Sequence, residues 1–134
     1  MQKYDFKGRR ILVVDDNEIN ADIACDYLED VNAETDIAVN GKEAFDKIAG
    51  GGHYDAVLMD VRMPVMDGYE ATRMIRGLGT EYADKLPIIA MTANAFNEDV
   101  INSRKAGMNE HISKPINADI LYSVLHKALS HISE

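Results

Sequence analysis

Two apolar runs in this chain of 134 residues end on aspartate. Ala56-Val57-Leu58-Met59 leads into Asp60, and Ile11-Leu12-Val13-Val14 leads into Asp15 and Asp16. A continuous apolar run of this length reads as a strand buried on both faces, as in a parallel sheet. The carboxyl ends of such strands are where open α/β sheets place their chemistry. A third run, Leu86 to Met91, ends on Thr92, and a short one, Glu110 to Ser113, is followed by Lys114. Each residue also has a plainer reading. Asp60 could simply end a strand, Asp15 and Asp16 could cap a helix, Thr92 could cap another, and Lys114 could be a surface lysine. Yet the strand ends follow from periodicity, not from these residues, and all five land on them.

Three carboxylates at one sheet edge resist joint ionisation. Either one keeps its proton or a cation neutralises the group. Hard oxygen donors of this kind favour Mg²⁺, with Mn²⁺ the other candidate. A metal, a nucleophilic carboxylate, a hydroxyl donor and a cation together suit phosphoryl transfer. Metal and lysine would neutralise the phosphoryl oxygens, the hydroxyl would bond one of them, and the carboxylate would attack in line.

The elements that must position these residues can be read in order. Arg10 to Asp15 is a first strand. Asn17 is a good cap for a helix with Ile19, Ile23, Tyr27, Leu28 and Val31 at helical spacing. Cys25 lies on the flank of that stripe and reads as a packing residue. Ala33 to Val39 alternates polar and apolar, as a half-exposed strand nearer a sheet edge does. Gly41 to Ala49 carries Ala44, Phe45 and Ile48 on one helical face and stops at Gly50-Gly51-Gly52. After the strand ending at Asp60, Asp67 and Glu70 form a capping box for a helix through Ala71, Met74 and Ile75 to about Gly77. Leu78 to Lys85 reads as a loop, and Leu86 to Thr92 as the fourth strand. Ala95 to Ala106 reads as a helix closed by Gly107 in a left-handed cap. Glu110 to Ser113 is a fifth strand. A last helix starts at Pro115-Ile116-Asn117, with Ile120, Leu121, Val124, Leu125, Ala128, Leu129 and Ile132 as its stripe.

Five strands alternating with five helices predict a flavodoxin-like (βα)₅ three-layer sandwich with a parallel sheet in the order 2-1-3-4-5. That order makes the first and third strands neighbours, so Asp15, Asp16 and Asp60 converge at one crevice. The domain is expected to span 9–132, with 1–8 a lead-in or linker remnant.

Composition narrows the function. The chain is 46% hydrophobic, enough for a proper core, and its formal net charge is −9, from 23 acidic and 14 basic residues. An acidic balance argues against nucleic-acid binding and against docking on an anionic membrane by this domain. No apolar run approaches the ~20 residues that span a bilayer, and no signal peptide is expected. A single cysteine excludes an internal disulfide and a cysteine-based zinc site. A cytoplasmic location is the simplest fit.

The paired acids of VVDDNEIN, the runs LMDVRMPVMDGYEATR and PIIAMTANA, and the HISKPI ending resemble, in order and spacing, the receiver domain of bacterial two-component response regulators. The resemblance covers about residues 9 to 132. It implies that Asp60 takes a phosphoryl group from a phosphohistidine on a histidine kinase or histidine phosphotransfer domain. It implies that Asp16, Asp60 and the Arg62 carbonyl ligate Mg²⁺, with Asp15 helping through water. Thr92 and Lys114 would contact the phosphoryl oxygens, and Lys114-Pro115 would be a cis peptide. Self-phosphorylation and autodephosphorylation would be the only turnover. Arg62 and Asn94 occupy rim positions that in the family tune the lifetime of the phosphoryl group. The position three before Lys114, often Tyr or Phe in the family, is His111 here. It is expected to act with Thr92 as the switch, and a histidine there would make switching sensitive to pH. The wording of the motifs is most similar to receivers of hybrid sensor histidine kinases. The chain is therefore expected to be a stand-alone receiver or a piece of a longer, membrane-bound hybrid kinase, and the Tyr4 to Gly8 lead-in favours the piece. The motifs do not name an oligomeric state.

Rival functions fit less well. A phosphatase with an aspartate nucleophile would need a second Asp two residues on, where Arg62 stands. A flavodoxin would need a hydroxyl- and glycine-rich phosphate loop, where Asp15-Asp16-Asn17-Glu18 stands. No P-loop occurs. The best non-phosphorylated alternative is a receiver-like interaction module, which normally loses one of the site residues; none is lost here.

Overall fold

The computed structural model describes residues 4–61, 65–92 and 97–132. Its elements are β1 (Arg10–Val14), α1 (Glu18–Glu29), β2 (Glu34–Ala38), α2 (Gly41–Ala49), β3 (Ala56–Asp60), α3 (Gly68–Arg76), α4 (Glu81–Lys85), β4 (Ile88–Thr92), α5 (Asn97–Ala106), β5 (Glu110–Ser113) and α6 (Ala118–Ile132). The strands form one parallel sheet in the order β2-β1-β3-β4-β5, as the alternation of elements predicts.

The central strands are apolar throughout because both faces are covered. Ile11, Val13, Leu58, Ile89 and Met91 point into a core under α1 and α6. Leu12, Val14, Val57, Met59, Ile88 and Ala90 point into a second core under α2, α3 and α4. β2, at the edge, is half-exposed, which accounts for its alternating sequence. Asn17, Asn40 and Asp67 cap α1, α2 and α3 with their side chains. Gly107 ends α5 with φ of 105°, the left-handed conformation expected there.

Four readings of the helices need correction. The stretch Leu78 to Lys85 contains a helix, α4, so the described residues hold six helices, not five. At five residues it is too short to show a helical period, and it is held from outside. Thr80 caps it, and the Arg76 guanidinium from α3 donates to the carbonyls of Ala83 and Leu86, each at 2.7 Å. On α1 the buried face is Ala21, Ala24, Cys25 and Leu28, whereas Ile19 is 70% exposed and Ile23 is at the surface. Small residues let α1 lie close to the sheet, and the larger isoleucines are left outside. Met74 of α3 is likewise exposed rather than core-facing. Ile120 of α6 is exposed as well, while Leu121, Tyr122, Leu125, Ala128 and Leu129 form the buried stripe. The stretch before β1 lacks a period but is packed. Phe6 is buried, its amide donates to Val31 O at 2.7 Å, and Tyr4 lies against the rings of Tyr122 and His126 on α6.

Candidate functional site

β1 and β3 run side by side, so both deliver acids to the same carboxyl edge. Asp60 is the last residue of β3, and Asp15 and Asp16 follow the last residue of β1. Asp15 and Asp60 are buried, and Asp16 is exposed. One carboxylate oxygen from each of the three lies within 4.8 Å of the others. The Lys114 ammonium, just past β5, sits 3.1 Å from Asp15 Oδ2 and 3.3 Å from Asp60 Oδ2. Thr92, buried at the end of β4, stands between the strands that carry Asp60 and Lys114.

Local bonds hold these residues at the edge. Asp15 Oδ1 accepts from the Asn17 amide at 2.9 Å, so one carboxylate oxygen braces the turn into α1. Asn17 itself is the cap of α1, which removes the plainer reading of Asp15 and Asp16 as its cap. The Lys114 amide donates to Thr92 O at 2.8 Å and ties the end of β5 to the end of β4. The Lys114–Pro115 peptide is cis. Asp67 caps α3, and the helix starts so close to β3 that a side chain on Gly68 would collide with the Asp60 carbonyl oxygen.

Asp15 Oδ2 is buried and makes no hydrogen bond of good geometry, although the Lys114 ammonium is near it. Among the described residues, three carboxylates gather around one ammonium. All the donors are hard oxygens. A hard divalent cation such as Mg²⁺ fits both the charge and the donor set. Burial beside like charges is unfavourable, and a cation among the three carboxylates would relieve it.

The structure brings Asp15, Asp16, Asp60 and Lys114 into one cluster and puts Thr92 on the adjoining strand end. His111 lies half-buried on β5, paired in register with Ala90 and on the face opposite Ile112. Arg62 and Asn94 lie outside the described residues. Asp67-Gly68 reads in the sequence as a helix start, but the closeness of Gly68 to Asp60 does not show there. Its signal is a glycine at the first helical position, where a better helix former costs nothing unless a neighbour forbids a side chain. A separate cleft of about 380 Å³ opens beside the amino-terminal end of β3, lined by His53, Tyr54, Tyr82, Leu86 and Pro87 among others. Its charged members are paired off, Asp55 with Arg9 and Glu81 with Lys85, so it gathers no set comparable to the acidic edge.

Residues 11–126 match the family model described as the response regulator receiver domain. The chain is 40% identical over 121 residues to hybrid signal transduction histidine kinase L of Dictyostelium discoideum, a match covering 88% of this chain and 7% of the kinase. It is 38% identical over 116 residues to two-component response regulator 24 of Arabidopsis thaliana, covering 87% of this chain and 81% of that protein. Among solved structures, the receiver domain of a sensor histidine kinase from Pseudomonas aeruginosa superposes with a TM-score of 0.82 at 38% identity. That match covers 92% of this chain and 98% of the other, which has a magnesium ion coordinated in its active-site cleft. With the strand order, the acidic edge and a family match over nearly the whole chain in agreement, the chain belongs to the response regulator receiver domain family of two-component signalling.

Proposed function

We propose that Asp60 is the phosphoacceptor of a phosphorelay, taking its phosphoryl group from a phosphohistidine on a histidine kinase or histidine phosphotransfer domain. The observation that carries this is the gathering of Asp15, Asp16 and Asp60 within 4.8 Å, with one buried oxygen of Asp15 left without a hydrogen bond. Asp15, Asp16 and Asp60, with the Arg62 carbonyl, would hold Mg²⁺. When bound, the cation supplies charge neutralisation at the phosphoryl oxygens and screens the carboxylates from one another. An Asp60 carboxylate oxygen attacks phosphorus, a P–O bond forms, and the P–N bond to the donor imidazole breaks, leaving its electron pair on nitrogen. Lys114, freed from its carboxylate partners, pairs with a phosphoryl oxygen, and the Thr92 hydroxyl donates to another. Hydrolysis of the acyl phosphate returns Asp60.

The surroundings suit a protein donor. Ile19, Val39 and Val65 are 70%, 50% and 77% exposed; Ile19 lies in the first turn of α1, which follows β1, and Val39 and Val65 lie on the connections that leave β2 and β3. Exposed apolar side chains around a charged site offer area for a partner to cover. The similarity to segments of hybrid kinases supports reading this as a hybrid-kinase receiver.

Incubation with Mg²⁺ and acetyl phosphate, followed by mass spectrometry, tests the reading. One added phosphoryl group is expected, lost with EDTA and lost in Asp60→Asn. No mass gain in the wild-type protein would leave the unphosphorylated interaction module as the better description.

A further inference from the structure

The chain leaves β3 at Asp60 and enters α3 at Gly68. Between them Val65 has φ of 70°, in the left-handed region, with its side chain 77% exposed. A β-branched residue is strained there because its Cβ crowds the backbone, and an exposed side chain gains no packing in return. Strain of this kind persists only where the surroundings over-determine the backbone.

Two bonds lie to either side of Val65. Before it, the Val61 carbonyl accepts from the Gly68 amide at 3.2 Å. After it, the Met66 carbonyl accepts from the Gly41 amide at 3.1 Å. Gly41 opens α2, so its N–H is one of those a helix leaves without an internal partner. The neighbouring Asn40 side chain serves Glu43 instead, at 2.8 Å. A Cβ on Gly41 would lie 2.6 Å from Met66 O, 2.8 Å from Ala71 Cβ and 3.1 Å from Asp67 O. Two of these atoms are backbone, so no flexible side chain can yield. Its own φ lies outside the left-handed region, so the close approach is what requires glycine here. Alanine would suit the helix better and would push the segment away.

We propose that Gly41 is a positioning residue for the phosphoacceptor: its amide and its missing side chain clamp the chain after Asp60 onto the start of α2, in a backbone shape that Val65 disfavours. Gly41 acts through Met66 and Asp67 and does not touch Asp60. The inference rests on the phosphoacceptor reading of Asp60, because the direction in which the chain leaves that residue matters only if a cation and a phosphoryl group are held there.

Three variants test it: Gly41→Ala, Val65→Gly and the pair together. Mg²⁺ titration is followed on backbone amide resonances, and amide hydrogen exchange at Gly68 is measured without metal. Gly41→Ala is expected to weaken Mg²⁺ binding about tenfold, in the range for residues that orient metal ligands, and to speed exchange at Gly68. Val65→Gly is expected to slow that exchange, because glycine takes the left-handed shape without strain. In the double variant it should recover most of the lost affinity. Unchanged affinity in Gly41→Ala, or faster exchange throughout α2 and α3 with no recovery by Val65→Gly, would overturn the inference. If Gly41→Ala does not fold, Val65→Gly alone decides, and unchanged exchange at Gly68 would refute the clamp. A wild-type protein that binds no Mg²⁺ would overturn the phosphoacceptor reading together with this one, whereas normal wild-type binding with an indifferent Gly41→Ala overturns this one alone.

Discussion

Asp15 uses its two carboxylate oxygens differently, one to brace the turn at Asn17 and one to face Lys114 and the other acids. If the three acids hold Mg²⁺ as proposed, a neutral side chain at this position removes one of the like charges gathered there and one of the charges that attract the cation. Asp15→Asn is expected to raise the unfolding temperature without metal and to shrink the further rise that saturating Mg²⁺ produces in the wild type by mass action. Thermal unfolding with and without Mg²⁺ measures both; an undiminished Mg²⁺ response would remove Asp15 from the site. At the opposite edge Tyr54 donates to Asp36 Oδ2 at 2.6 Å, with the Arg10 guanidinium 4.7 Å from the Tyr54 ring centroid. Burial first, and then the bond to Asp36, push the Tyr54 hydroxyl from 10.0 to about 12. The same bond holds the Asp36 carboxyl below its usual range. Linkage gives the signs. The Asp36 contribution is present above the unfolded carboxylate value and is lost as pH falls through the lowered one. The Tyr54 contribution is present below 10.0 and is lost as pH rises towards about 12. Tyr54→Phe should cost about 1 kcal/mol at neutral pH, modest because Asp36 is partly exposed, and should flatten both flanks of stability against pH in urea unfolding.

Arg76 is the hub among the elements. Its guanidinium donates to Gly107 O at 2.7 Å and Asn109 Oδ1 at 2.9 Å as well as to the carbonyls ending α4. Asn109 Oδ1 in turn accepts from the Ile88 amide at the start of β4. One side chain on α3 thus ties α4, β4 and the turn before β5 together. Arg76→Met leaves several acceptors unpaired and should cost about 2 kcal/mol. The amide of Leu86, bonded to Tyr82 O at 2.9 Å, should lose hydrogen-exchange protection before the sheet does. A uniform loss across the protein would show that Arg76 acts on global stability alone. α4 was illegible in the sequence for this reason: a five-residue helix has too few internal bonds to stand alone, and its partner lies on another helix. The face of α1 was misread for a related reason. Periodicity places Ile19 and Ile23 on a stripe, but the distance between helix and sheet selects Ala21 and Ala24 for the interior.

At the scale of the molecule, the strand order decides that acids 45 positions apart meet. Asp15 and Asp60 arrive together because β1 and β3 are neighbours, and Lys114 reaches both from beyond β4. Any change that a phosphoryl group causes must travel outward from this edge by favouring one of two conformations. Thr92 and His111 lie on the adjacent strands β4 and β5. If His111 takes the switch role, the resonances of its ring should shift when Mg²⁺ and a beryllofluoride phosphoryl mimic are added, and Thr92→Ala should abolish the shift. A ring environment unchanged by the mimic would end that role.

Alternation of apolar runs and amphipathic stretches was enough by itself to set the fold class and to put aspartates at strand ends, since buried parallel strands and their crossovers leave few arrangements open; the order 2-1-3-4-5 entered as the commonest one for such a sheet. The tertiary structure alone decided which oxygen of Asp15 lies unbonded, that Lys114 stands between two carboxylates, and that Gly41 is a glycine because the backbone of a distant segment occupies the place of a side chain. Those facts depend on distances between residues far apart along the chain, and local periodicity carries no information about them.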